Sequence, residues 1–110
     1  MTAADIKKAL GLTCVTDDAG LENMVSSVYI GDLLSWVMSR APENCVWITI
    51  LSHMNVVAVA ALAQIGCIIV AEGSTLQADM VEKAKEEKIP VFSSSLTSYE
   101  LAKELMKIGL

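Results

Sequence analysis

The sequence is short of basic residues and of charge in general, and this shortage excludes one broad class of partners. Among its 110 residues are only 8 Lys and Arg against 13 Asp and Glu, which gives a net charge of −5. No basic cluster is present, although proteins that bind nucleic acid by releasing counterions carry one. We therefore expect no nucleic-acid partner, and we attribute the excess acid to keeping an apolar domain in solution.

Complete catalytic motifs are also missing. The sequence contains no GxxxxGK[ST] string for a P-loop, no GxGxxG string for a dinucleotide and no GxSxG nucleophile motif. These absences exclude the commonest sequence signatures of ATP-binding, dinucleotide-binding and serine-nucleophile enzymes. We expect a protein that is not an enzyme and needs no cofactor.

Paired metal-ligand or redox cysteines are absent as well. Cys14, Cys45 and Cys67 lie in or beside apolar runs, and no CxxC or Cys/His spacing occurs. The pattern is typical of small buried side chains in a reducing compartment rather than of a metal site. The N-terminus lacks the basic and apolar regions of a secretory signal, so we expect a cytoplasmic location.

No apolar run is long enough to predict a membrane span. The longest candidate, 56–71, has sixteen residues and is interrupted by Gln64 and Gly66, whereas a bilayer needs about 20. Its first half is rich in alanine and its second half in β-branched residues. We interpret it as a buried helix, a turn and a strand, with no membrane contact.

What the sequence does contain is a repeated order of apolar strand, polar loop and helix. This order indicates a parallel sheet with crossover helices. We predict one domain, 1–110, of the α/β class, with three α/β/α layers and a mostly parallel sheet of about five strands. The predicted strands are 12–16, 24–30, 46–50, 67–71 and 91–92, and the predicted helices are 3–10, 33–40, 56–64, 76–88 and one that starts after 97.

Two helix starts carry a capping box. Thr2 is followed three residues later by Asp5, and Thr97 is followed by Glu100. In this arrangement the hydroxyl and the carboxylate each satisfy a free backbone N–H of the first turn. We predict Thr2 and Thr97 as the N-caps of the first and last helices.

The helix predicted at 56–64 is apolar on every side, which is typical of a helix buried all round. In a domain of this size, burial on every side requires something outside the sheet, and a second copy of the chain is the simplest occupant. The 54 % hydrophobic content supports the same expectation of a homodimer or higher homo-oligomer. Trp36 is a further candidate for this interface.

Polar loops that follow parallel strands meet at the carboxyl edge of the sheet, the usual ligand edge of such folds. The free N–H groups of helix starts at this edge suit a small anion, although ordinary capping also explains such residues. We predict no metal ligands, and Asp32 and Asn55 are in addition predicted N-caps of the helices at 33–40 and 56–64. The candidate ligand-binding residues are Gly31, Asp32, Ser52, His53, Asn55, Gly73, Ser74 and Ser94.

His53 is the only histidine of the chain. A histidine at the end of a central strand can act as a general base or contact a ligand. No second histidine and no neighbouring carboxylate orient it in the sequence. Ligand or structural contact is therefore the favoured role, and catalysis the least favoured.

Four segments together resemble the DRTGG domain family, which is similar to the N-terminal domain of HPr kinase/phosphorylase. They are 29–38 with the string GDLLS, 49–60 with SHMN, 89–93 and 99–102. The literal Asp-Arg-Thr-Gly-Gly string is absent. The resemblance covers nearly the whole chain, and it implies an α/β/α accessory unit found beside CBS, phosphotransacetylase or kinase domains, with roles in ligand sensing and oligomerisation.

Three hypotheses follow. The first is a non-catalytic regulatory module that binds a small anionic metabolite or nucleotide at the carboxyl edge of the sheet. The second is a homodimeric interaction protein whose apolar helix, together with Trp36, forms the interface and which docks on a partner enzyme. The third, a small enzyme that uses His53, has the least support.

Overall fold

The computed structural model describes all residues, 1–110. Helices and strands alternate along most of the chain. In chain order they are α1 (Ala3–Leu10), β1 (Thr13–Cys14), β2 (Ser27–Ile30), α2 (Leu34–Arg40), β3 (Cys45–Thr49), α3 (Met54–Leu62), β4 (Cys67–Val70), α4 (Ala78–Glu87), β5 (Val91–Ser93) and α5 (Ser98–Lys107).

The five strands form one sheet in the order β1-β5-β4-β3-β2. Strands β2 to β5 are parallel, and β1 joins β5 in antiparallel orientation at one end. The predicted α/β class and mostly parallel five-stranded sheet are therefore confirmed. The segment predicted at 12–16 contributes the antiparallel edge strand, of which only Thr13 and Cys14 are paired.

Helices cover both faces of the sheet, which confirms the predicted three layers. Residues of α2, α3 and α4 share one apolar core with alternate residues of the central strands. Residues of α1 and α5 share a second core with the remaining strand residues. In β3, for example, Trp47 belongs to the first core and Val46 and Ile48 to the second, because successive side chains of a strand point to opposite faces.

The apolar helix α3 is buried on one side only in the single chain. Val56, Val57 and Ala60 are fully buried against the sheet, whereas Met54 is 45 % and Leu62 73 % exposed. The predicted burial on every side required a second copy of the chain over the outer side of α3, so it stays a prediction for the assembled protein. Composition alone could not show which side the sheet covers, because a helix with no polar face carries no periodic signal of it.

Two predicted N-caps are wrong. The helix expected to start after Asp32 begins at Leu34 with Leu33 at its cap, and the helix expected to start after Asn55 begins at Met54 with His53 at its cap. Asp32 instead accepts hydrogen bonds from the end of β3, and Asn55 lies inside α3. For Asp32, distant partners thus override the local capping preference.

Gly66 has a structural reason that its position after a predicted helix did not reveal. A Cβ atom there would lie 2.6 Å from the carbonyl oxygen of Met24 and 2.8 Å from a methyl carbon of Val25. The segment before β2 thus crosses close beneath β4. The strand predicted at 24–30 is shortened to Ser27–Ile30, because Met24 makes an isolated antiparallel bridge with Thr2 instead.

No helix combines the length and the apolar character that crossing a membrane requires.

Candidate functional site

The carboxyl edge of the parallel sheet is held together by Asp32. One oxygen of its carboxylate accepts a hydrogen bond from the Thr49 hydroxyl at 2.8 Å and another from the backbone N–H of Ile50 at 3.0 Å. The indole N–H of Trp47 donates to the carbonyl of Gly31 at 2.8 Å. These bonds fix the loop after β2 against the end of β3 and bring Gly31 and Asp32 to the predicted edge.

The loops after β4 and β5 are connected to the same edge. The Ser74 hydroxyl donates to the carbonyl of Ile50 at 3.0 Å, and the backbone N–H of Gly73 donates to the carbonyl of Ser94 at 2.8 Å. The Ser94 hydroxyl in turn accepts from the backbone N–H of Leu96 at 3.1 Å. Gly73 takes a left-handed backbone with φ 65°, which glycine adopts without strain.

His53 and Asn55 open onto a neighbouring hollow. Together with Met54, Gln77 and Asp79 they line a cavity of about 340 Å³ where α3 and α4 begin. The backbone N–H of Gln77 donates to the carbonyl of Ser52 at 3.2 Å and ties this hollow to the sheet edge. The eight predicted residues therefore fall into two adjacent groups.

The first group is an edge of hydrogen-bonded loops, to which six of the residues belong. It consists of Gly31, Asp32, Ser52, Gly73, Ser74 and Ser94. The second group, His53 and Asn55, lies at the start of α3, and a larger groove of about 580 Å³ continues from there between α3 and α4.

The helices of this face begin without side-chain caps. No side-chain hydrogen bond caps α2, α3 or α4, whose N-cap residues are Leu33, His53 and Gln77. The first backbone N–H groups of a helix have no partner inside it. Those of α3 and α4 are thus free of side-chain acceptors next to the two hollows, and such groups attract anions.

Three residues of this region were not among the predicted site residues. Thr49 is 1 % exposed and bonded to Asp32, and a polar residue at the end of an otherwise apolar strand is a signal that could have identified it. Gln77 and Asp79 line the smaller hollow with His53. They precede or begin a charged helix, and nothing local in the sequence distinguishes them from solvated residues.

The charge of the edge is negative. Its four loops, 31–33, 50–53, 71–77 and 94–97, contain Asp32 and Glu72 and neither Lys nor Arg. No group of three or more His, Cys, Asp or Glu side chains is arranged to hold a metal ion. The edge therefore offers hydroxyl and backbone N–H groups, with no cation of its own.

The cysteines take no part in this site. Burial raises the pKa of the Cys45 thiol to about 11 and raises that of Cys67 still further. Both thiols stay protonated at neutral pH, and a protonated thiol is a poor nucleophile and metal ligand. The prediction of buried cysteines is confirmed for these two, whereas Cys14 is only half-buried.

A further cavity of about 410 Å³ lies at the opposite end of the sheet. Asn23, Asn44, Gln64 and Lys88 are among the residues that line it. None of the eight predicted site residues does. The side chain of Asn23 has a structural role there, because its amide donates hydrogen bonds to the carbonyls of Gly66 and Lys88.

Comparison with solved structures finds the same fold in a regulatory protein. The chain matches the crystal structure of the CBS and DRTGG domains of the regulatory region of Clostridium perfringens pyrophosphatase, complexed with its activator, diadenosine tetraphosphate. The TM-score is 0.75 and the sequence identity 16 %; the match covers 94 % of this chain and 46 % of the other. The chain thus spans about half the length of that relative.

Comparison with curated protein sequences gives no match. The family model of the DRTGG domain matches residues 5–108, which is nearly the whole chain. This match agrees with the resemblance carried by the segments 29–38, 49–60, 89–93 and 99–102. The chain belongs to the DRTGG domain family.

Proposed function

We propose that this protein is a non-catalytic regulatory module that binds a small anionic ligand, of the nucleotide class, at the carboxyl edge of its sheet. The observation that carries the proposal is the convergence of four hydrogen-bonded loops with the uncapped starts of α3 and α4. Backbone N–H groups and serine hydroxyls there suit phosphate oxygens. The matched pyrophosphatase region, which binds diadenosine tetraphosphate, supports the choice of ligand class.

Such a ligand would extend from the loops of the sheet edge into the groove between α3 and α4. Phosphate groups would lie against Ser52, Ser74 and the start of α3, where N–H groups and hydroxyls are available. A nucleobase would lie in the groove between α3 and α4, where Met54 and Ala58 offer apolar surface between the charged side chains of Asp79, Glu82, Lys83 and Glu86. Lys83 is paired there with Glu86 and Glu87. Ligand sites of this kind combine apolar walls with a few polar groups that fix orientation.

A regulatory role is favoured over catalysis because His53 has no partner that would activate it. Its ring makes no hydrogen bond, while general bases are normally oriented by a second group. We also propose a cytoplasmic location, which is supported by three free cysteines, since thiols persist in reducing compartments.

Thermal unfolding tests the proposal directly. The purified protein is heated with diadenosine tetraphosphate, ATP or inorganic phosphate. A ligand at about 100 times its dissociation constant stabilises the folded state by about 2.7 kcal/mol, which raises Tm by roughly ten degrees in a domain of this size. Three flat curves across a wide concentration range would refute the nucleotide class.

A double substitution locates the site. His53→Ala with Asn55→Ala should abolish the ligand-induced rise in Tm and leave the unliganded Tm within a few degrees, because neither side chain is fully buried or makes a hydrogen bond in the structure. Ser98→Ala with Tyr99→Ala, in the first turn of α5 and outside the four loops of the edge, is the matched control and should respond like the natural chain. An undiminished rise in the His53 and Asn55 variant would exclude the start of α3 from the site.

The second candidate function is a homodimeric interaction protein that docks on a partner enzyme. Exposed apolar side chains favour it: Leu62 is 73 %, Leu33 59 % and Trp36 53 % exposed in the single chain. A monomeric mass in light scattering at micromolar concentration would contradict the dimer.

A further inference from the structure

The strand β2 is an open and unprotected edge of the sheet. It pairs only with β3, so the backbone groups on its other side have no strand partner. Proteins usually protect such edges with lysine, proline or a bulge. The N-terminal residues pair with 23–25, whereas 26–31 has none of these protections and carries no charged residue, and the end of β2 exposes Ile30 by 48 %.

The helix α2 adds apolar surface above this edge. Val37 faces the core, and Leu34 and the C-cap residue Ala41 are partly buried against the same core. Trp36 precedes Val37 by one residue, which is 100° around a right-handed helix. It therefore lies on the flank of α2 opposite to Leu34 and Ala41, which no other helix of this face covers. There it is 53 % exposed, with the Arg40 guanidinium 4.0 Å above its ring.

We propose that a second copy of this chain pairs with β2, strand to strand and antiparallel, about a two-fold axis through the middle of the strand. The two sheets would join into one, and Trp36 of each copy would cover the strand of the other. An interface of this type uses the same patch on both copies. The proposal deepens the proposed function, because it adds a residue to the same ligand site.

The lengths of β2 and α2 and the charges at the two ends of α2 both suit a second copy of the chain as the partner of this edge. Strand β2 spans about 13 Å, and α2, which returns above it, spans about 10 Å, so their ends lie at similar levels. A two-fold axis at the centre then brings the end of one α2 beside the start of the other. Arg40 of the second copy would thus lie near Asp32, whose second carboxylate oxygen makes no hydrogen bond.

The same geometry would supply what the ligand edge lacks. The four loops of that edge contain no Lys or Arg, although multiply charged phosphates are usually bound by at least one cation. Arg40 lies at the far end of α2 in its own copy. Only the second copy would bring it to the edge, so the complete site would consist of residues from two chains.

Sedimentation of the whole chain at micromolar concentration tests the pairing. We expect twice the 11.8 kDa mass of one chain. Ile30→Lys and Trp36→Glu both change exposed side chains, and each should reduce the mass to that of a single chain. The matched control is Tyr99→Glu on α5, where an exposed tyrosine lies 5.6 Å from the Lys103 ammonium, and this variant should remain a dimer.

Two results would overturn the pairing. The first is a single-chain mass for the unsubstituted protein at 100 times the concentration of the first run. The second is a dimer that both Ile30→Lys and Trp36→Glu leave intact, because the interface would then lie elsewhere. Circular dichroism of each variant verifies that a loss of mass is not a loss of fold.

Titration with diadenosine tetraphosphate tests the contribution of Arg40. Arg40→Gln, compared at a concentration where it is still dimeric, should bind about tenfold more weakly, and Lys103→Gln should bind as the natural chain does. Equal affinity of Arg40→Gln and the natural chain would remove Arg40 from the site. If the natural chain binds no nucleotide, the proposed function and the shared site fail together, while the measured masses still decide the strand pairing.

Discussion

Helices α5 and α3 both begin at the carboxyl edge of the sheet, yet their first turns are treated differently. At α5 the Thr97 hydroxyl accepts from the backbone N–H of Glu100 and the Glu100 carboxylate accepts from that of Thr97, both at 3.2 Å. At α3 the N-cap residue is His53, and no side chain bonds the first turn. The edge therefore contains one helix start that side chains cap, at α5, and one that no side chain caps, at α3.

The same contrast divides the two faces of the domain. On one face α1 and α5 both carry complete capping boxes, whereas on the other α2, α3 and α4 carry none. The bond from the Thr2 backbone also holds the pKa of the Asp5 carboxyl below its usual value. Side chains thus satisfy the helix starts of one face, while the starts of α3 and α4, beside the hollows, have no side-chain acceptors.

The largest effect on stability should come from substitution of Asp32. The interpretation of Asp32 as an N-cap of α2 would predict a smaller effect. Asp32→Ala removes the acceptor of the buried Thr49 hydroxyl and of the Ile50 N–H, so we expect a loss of about 2 kcal/mol in the free energy of unfolding. Urea denaturation measures it. Asp32→Asn keeps an acceptor oxygen and should lose less than half as much.

Coupling distinguishes this role from helix capping. If Asp32 stabilises the end of β3, Asp32→Ala should cost less free energy of unfolding in a chain that already carries Thr49→Val. A double-mutant cycle of the two substitutions should then give an interaction energy of about 1 kcal/mol. Purely additive losses would indicate that Asp32 acts on α2 after all.

A smaller effect on stability is expected at the capped start of α5. Thr97→Ala should lower the free energy of unfolding by about 1 kcal/mol, because the N–H of Glu100 loses its acceptor. Thr97→Ser retains the hydroxyl and should stay close to the natural value. Thermal unfolding without ligand measures both, and an Ala variant as stable as the Ser variant would show that the box contributes nothing here.

The smallest effect should be a gain in stability, from a substitution that gives α3 a side-chain cap as α5 has. His53→Asp places a carboxylate at the cap of α3, where it can bond a free N–H and interact favourably with the helix dipole; we expect about 0.5 kcal/mol more stability. The same carboxylate would occupy the anion position, so the nucleotide-induced rise in Tm should disappear. Greater stability with a full nucleotide response would show that the start of α3 lies outside the site.

Local patterns predicted the capping boxes correctly and the remaining caps incorrectly. Thr2 and Thr97 have their carboxylate partners three residues away, so the sequence contains both members of each pair. Asp32 bonds residues 17 and 18 positions further along the chain, and no local window contains them. Trp36 was predicted as an interface candidate together with the apolar helix, and the structure places it instead on the flank of α2 beside the open edge.

The sequence alone determined the α/β class, the parallel strands, the capping boxes and the edge at which polar loops collect. These depend on periodicity and on contacts within a few residues, which composition and spacing record. Only the tertiary structure decided the strand order, the exposed side of α3, the close approach at Gly66 and the separation of His53 and Asn55 from the other site residues. Those features depend on contacts between segments distant along the chain, and such contacts exist only after the sheet has assembled.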